Sequence, residues 1–261
     1  MNPLVRWAGL ARRGIVGPAF SEGSIRQSLA FNRWGVGLPG QLRAAAARDP
    51  ERIAVIDDVT GRSVTYAGLV ARSDRVCKAL LAQGIGKGHR VGLLARNDLD
   101  MLVAALGASC LAADLVLLNL GVSQNQLRYL VAGQAVSHLL YDEEFAPLVD
   151  GMEPGCSLMS LPELMALADA QGRGTFDRPP SRAGRLTLMT AGTSGMPRGV
   201  PRTYSGVMDN FFAFVEKVDI RAGDVFLISA PPLQHVGDVG AVYRARGPGD
   251  AGPSGTVRAR G

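Results

Sequence analysis

Thr190-Ala191-Gly192-Thr193-Ser194-Gly195-Met196-Pro197-Arg198-Gly199 gathers three glycines, three hydroxyls and one cation in ten positions. Glycines let a backbone curl so that successive N–H groups point inward as an anion nest. Threonine and serine hydroxyls add donors with little bulk, and Arg198 supplies a permanent planar charge suited to phosphate. The chemistry this implies is the holding of a polyphosphate. A plain flexible connection would account for the glycines, but not for a preceding strand-like run, hydroxyls, proline and cation together. It is not a Walker A loop, because the Lys-Ser/Thr pair that should follow the second glycine is missing. Gly84-Ile85-Gly86-Lys87-Gly88-His89 is no dinucleotide fingerprint either: its third glycine is misplaced and it follows a helical pattern, so it reads as a turn.

Other chemistry-bearing residues read as structural. His89 lies in a turn before a strand and His138 at a strand start. Asp142, Glu143 and Glu144 suit a solvated helix start. Cys77, Cys110 and Cys156 have no close pair and an odd total, which fits a reducing compartment better than a disulfide framework or zinc site.

The loop needs elements to position it. Arg185 to Met189 reads as the strand that feeds it. Upstream, Arg90–Ala95, Asp114–Asn119 and Ser137–Tyr141 are apolar runs of strand length, and Leu99–Ala112 and Gln124–Ala132 are helical runs between them. Strands apolar on both faces and joined by helices imply an α/β fold with a layered parallel sheet. Before them, Leu42–Arg48 predicts a helix closed by Asp49-Pro50, Ile53–Ile56 and Arg62–Thr65 a strand pair, and Tyr66–Gln83 an amphipathic helix. Gly172–Gly184 reads as a loop, Tyr204–Val218 as a helix and Asp224–Ser229 as a strand.

The 190–199 loop resembles the phosphate signature of AMP-forming acyl-CoA synthetases, the acyl-adenylate-forming enzymes: Thr-Ser-Gly-Thr-Thr-Gly-x-Pro-Lys-Gly. Thr190, Gly192, Thr193, Gly195, Pro197 and Gly199 match it, and Ser194 keeps a hydroxyl. Ala191 loses one, and Arg198 stands where lysine is customary. Thr65-Tyr66-Ala67-Gly68-Leu69 is similar to the family's Thr-Tyr-x-Glu-Leu helix start. Arg90–Asn97 and Leu117-Leu118-Asn119 look like its core strands, and Asp142–Phe145 points to the fatty-acyl branch. Ser229–His235 resembles a Pro-x-Phe-His motif lining the channel where acyl chain and nucleotide meet. His235 matches there, whereas Gln234 replaces the aromatic. The resemblance implies ATP with Mg2+, fatty acid and CoA as substrates.

It also implies motifs that have no counterpart in these 261 residues: Tyr-Gly-x-Thr-Glu for Mg-ATP, Thr-Gly-Asp for the ribose, and a C-terminal catalytic lysine. No lysine follows Lys217, so no catalytic residue and no metal ligand is assigned. The expectation is the N-terminal fragment of a fatty-acyl-CoA synthetase, inactive by itself, or else a non-catalytic remnant binding nucleotide or acyl chains.

The organisation that follows is a leader over 1–40, a partial AMP-binding domain over 41–236, and a disordered tail over 237–261. That tail carries seven Gly, four Arg and two Pro and has little to build a core. The abrupt change after Pro231-Pro232 suggests a shifted reading frame. With 47% hydrophobic and 20% charged residues the chain is globular, and its longest apolar run, Met101–Ala113, is too short to cross a bilayer. The net charge of +5 comes from scattered arginines, with only three lysines and no basic stripe, which argues against nucleic acid. No signal-peptide core follows the basic start, so the expected location is cytoplasmic.

Overall fold

A computed structural model describes residues 3–15, 21–35, 37–57, 61–152, 155–180, 184–190, 198–202, 215, 217–227 and 242–245. In chain order the elements begin with α1 (Pro3–Arg12), α2 (Glu22–Trp34), α3 (Leu38–Arg48), β1 (Ile53–Asp57), β2 (Ser63–Thr65) and α4 (Tyr66–Ala82). Next come β3 (Arg90–Leu94), α5 (Leu99–Cys110), β4 (Asp114–Leu117), α6 (Gln124–Gly133), β5 (His138–Tyr141), α7 (Ala146–Val149), β6 (Ser157–Ser160) and α8 (Leu161–Asp169). The last are β7 (Leu186–Thr190), β8 (Arg198–Arg202), β9 (Val225–Leu227) and β10 (Val242–Ala245). The chain forms two units, one of residues 71–203 and one of residues 1–70 with 204–261.

Residues 71–203 carry a six-stranded sheet in the order β6-β5-β3-β4-β7-β8, parallel except for β8. All of β4 and all but the first residue of β3 are buried, as strands covered on both faces must be. In α5 every residue but Asp100 is buried, which is why its apolar residues run all round. Asp98 starts that helix by accepting from the Met101 N–H at 2.8 Å. Gly107 lets α4 come close: a Cβ there would lie 2.5 Å from Val76 Cγ1. Ser123 and Gln126 close a capping box on α6, whose Leu127, Leu130 and Val131 face the core beside Leu94, Val116 and Leu139.

The expected alternation of strand and helix from Arg90 to Tyr141 is present with ends shifted by a residue or two. Four elements of this unit were missing from the sequence reading: α7, β6, α8 and β8. Ser160 caps α8 by accepting from the Glu163 N–H, so Ser160-Leu161-Pro162-Glu163 was a legible start signal. The described part of the Gly172–Gly184 loop has no regular structure. Lys78 Nζ pins it through the Gly172 carbonyl at 3.1 Å and the Gly174 carbonyl, and Phe176 is buried.

In the other unit, the stretch expected to be an irregular leader is helical. Local caps explain this. Ser21 accepts from the Ser24 N–H to start α2, and Gly37 with Pro39 opens α3. Trp34 is buried with the Arg43 guanidinium 3.7 Å above its ring, and Leu10 and Ile15 pack with Val215 and Ile220.

A four-stranded sheet has the order β2-β1-β10-β9. Its β10 comes from the segment that composition reads as disordered. Val242 and Tyr243 supply strand-forming residues, and the segment bonds parallel to both β1 and β9. The rest of 237–261, and most of the expected helix Tyr204–Val218, lie outside the described residues.

Candidate functional site

Because β3, β4, β5 and β7 are mutually parallel, their carboxyl ends at Leu94, Leu117, Tyr141 and Thr190 share one edge of the sheet. The chain passes from β3 to β4 on one side and then returns to place β5 on the other. The strand order therefore reverses between β3 and β5, and ligands in open α/β sheets bind outside the carboxyl ends at such a point. Strand β7 adds directly beside β4.

At that edge β7 turns back into β8. The antiparallel register pairs Thr190 with Arg198 and Met189 with Gly199. The ladder thus sets the last residue of β7 opposite the first of β8, and both are positions singled out by type in the sequence. Arg198 is exposed. Gly199 has a packing reason for being glycine, since a Cβ there would meet the Gln134 side-chain amide at 2.7 Å. The expected phosphate contacts Gly192, Thr193, Ser194, Gly195 and Pro197 lie outside the described residues, as does His235.

The feeding strand is clamped at its other end. The Asp114 carboxylate, nearly buried, accepts from the Arg185 N–H at 2.8 Å and from its Nε at 3.2 Å, with Nη2 at 3.1 Å. Such bidentate geometry fixes orientation as well as charge. The clamp joins the start of β4 to the residue before β7 and so sets where Thr190 emerges. Sequence reading missed it, and a lone Asp and a lone Arg 71 positions apart carry no local signal.

Two acidic residues read as a solvated helix start do more at the same edge. The Asp142 carboxylate accepts from the Arg96 N–H at 2.6 Å and so ties the end of β5 to the end of β3. Burial pushes the Asp142 carboxyl above the ordinary carboxylate range, against the pull of that N–H. Glu144 forms a two-pronged ion pair with the Arg96 guanidinium, one contact at 2.8 Å, which holds its carboxyl below the usual value. His89 and His138 stack edge to face at 5.1 Å at the opposite, amino edge of the sheet, away from the loop. The structural reading of both histidines agrees with that position.

The arrangement is a strand-loop-strand at the carboxyl edge of a doubly wound sheet, its exit marked by an exposed arginine. That defines an α/β protein with a mostly parallel sheet. The chain belongs to the AMP-binding enzyme family, whose pattern matches residues 42–245. It is 27% identical over 198 residues to the long-chain-fatty-acid–CoA ligase FadD13 of Mycobacterium tuberculosis, covering 73% of this chain and 39% of that ligase. Its fold matches the inhibitor-bound N-terminal domain of FACL13 from Mycobacterium tuberculosis, with a TM-score of 0.74 and 23% identity over 82% of this chain and 58% of that one. It also matches o-succinylbenzoate coenzyme A synthetase from Bacillus subtilis in complex with ATP and magnesium ion, with a TM-score of 0.67 and 22% identity over 79% and 56% of the two chains. The chain thus spans well under half the length of the curated ligase it matches.

Proposed function

We propose that this chain holds the phosphates of ATP in an AMP-forming activation of a carboxylic acid, with fatty acids as the acid class. The supporting observation is the pairing of Thr190 with Arg198, which brackets the 191–197 loop at the carboxyl edge of the sheet. Backbone N–H groups around Gly192, Gly195 and Gly199, and the hydroxyls of Thr190, Thr193 and Ser194, would donate to phosphate oxygens. Pro197 would stiffen the exit and Arg198 would add charge. In the overall reaction a carboxylate oxygen attacks the α-phosphorus, the bond to the pyrophosphate oxygen breaks, and acyl-adenylate forms. A thiol such as that of CoA then displaces AMP. Negative charge builds on the phosphates in the first step, so fixed donors act where that charge develops.

Magnesium accompanies ATP in the named relative. Among the described residues no group of three or more His, Cys, Asp or Glu converges to hold an ion. The motifs that would grip the ribose and supply a C-terminal lysine have no counterpart here, and Lys217 is the last lysine. On this reading the 261 residues by themselves bind nucleotide and do not turn it over. No described helix is long and apolar enough to cross a membrane. The three free cysteines, two of them buried, support a cytoplasmic location.

Thermal melting with and without ATP, beside ATP–pyrophosphate exchange with a panel of fatty acids, tests this. The expected result is a saturable rise in Tm that Arg198→Ala weakens, with no exchange. An unchanged Tm at any ATP concentration sinks the binding, and measurable exchange sinks the claim of no turnover.

A further inference from the structure

The unit of residues 1–70 and 204–261 contains a half-open cavity of about 50 Å³ for which neither the family nor the loop gives a use. That is several times the roughly 10–15 Å³ one water needs. Its lining includes Arg48, Arg52 and Arg221 against a single carboxylate, Asp49, together with Gln27 and Tyr66. Two of these cations have other duties. Arg48 donates to the Gly14 carbonyl at 2.6 Å and to the Ile15 carbonyl, holding the turn after α1, and Arg221 pairs with Asp219 at 3.1 Å. Arg52, half-buried, has no carboxylate within ion-pairing distance among the described residues.

Gln27 and Tyr66 are each 8% exposed, and among the described residues neither polar group is a buried atom left without a partner. Burial raises the Tyr66 hydroxyl above its ordinary pKa, Arg52 and more weakly Arg48 pull against that shift, and Asp49 adds to it. The phenol is therefore a neutral donor close to Arg52.

We propose that this cavity binds a tetrahedral oxyanion, phosphate or sulfate, either free or as the terminal group of a small phosphomonoester. Arg52 is its charge partner, and the Tyr66 hydroxyl and Gln27 amide are neutral donors. One cation held by Gly14 and Ile15, one held by Asp219 and one uncommitted, against one lining carboxylate, leave a local positive excess that a singly or doubly charged oxyanion balances.

The test is calorimetric titration of the full chain with inorganic phosphate and with glycerol phosphate, at ionic strength matched with chloride. Arg52→Gln should weaken phosphate roughly ten-fold, the loss of one charge-assisted hydrogen bond. Tyr66→Phe keeps the packing and should weaken it roughly three-fold, the loss of one neutral bond. Arg198→Gln, in the 190–199 loop, should leave this binding intact, which separates the cavity from the proposed ATP site. Glycerol phosphate competing with phosphate identifies a phosphomonoester site, and its failure to compete identifies a site for the free ion. No saturable binding beyond chloride overturns the proposal. So does binding lost in Arg198→Gln but kept in Arg52→Gln.

Discussion

Asp114 shows how much one carboxylate can decide. It holds the Arg185 backbone and guanidinium together at the entrance to β7. Asp114→Ala leaves a strand-end N–H without its acceptor and should cost about 1–3 kcal/mol, whereas Asp114→Asn keeps one acceptor and should cost less. Urea denaturation of both variants checks the order, and equal losses would refute the bidentate role. His138 offers a pH test. Burial, reinforced by His89, holds its pKa below the ordinary histidine value. The unfolded chain then takes up a proton that the folded chain resists. The stability concerned is present above the unfolded pKa of about 6.5 and is lost as pH falls from there towards the lowered folded value. His138→Gln should flatten the fall in Tm between about pH 7 and pH 5; a slope equal to that of the parent chain would remove His138 from the account. The residues proposed to hold phosphate stand out by type, because glycine, hydroxyl and cation at fixed spacing are local features. The Asp114–Arg185 and Asp142–Arg96 contacts do not, because each partner is ordinary in its own neighbourhood.

At the scale of elements, the run from β3 to β5 was readable because buried strands and a buried helix demand unbroken apolar stretches of different length. Helices α1 and α2 escaped because their mixed composition hides a helical face, and only the Ser21 cap marks α2 locally. The approach of α4 to α5 depends on Gly107. Alanine there favours the isolated helix by about 1 kcal/mol, but its methyl must enter the space of Val76 and approach the Cys77 N–H. Gly107→Ala should therefore destabilise the protein by about 1–3 kcal/mol, and adding Val76→Ala should recover part of the loss. A single mutant as stable as the parent would mean the helices can separate at little cost.

For the whole molecule, protection should follow burial. Amide exchange should be slowest in β3 and β4, where Val91, Leu93, Leu115 and Val116 are at most 2% exposed, and fast across residues 172–180, which lack regular structure. Mass-spectrometric exchange mapped by peptide checks this, and equal protection in the two regions would contradict it. The sequence by itself determined the α/β class and the alternation of strands and helices, since each is written in contiguous residues. Strand order was beyond it. Strands that are apolar on both faces satisfy any neighbour equally well, so composition cannot say that β7 lies beside β4 or that β8 returns antiparallel. Those choices rest on contacts between residues far apart in the chain, such as Asp114 with Arg185, and on the pairing that sets Thr190 opposite Arg198. Only the tertiary structure set Thr190 opposite Arg198 at the carboxyl edge of the sheet. It also brought Gln27, Arg52 and Tyr66, from three separate segments, around one cavity.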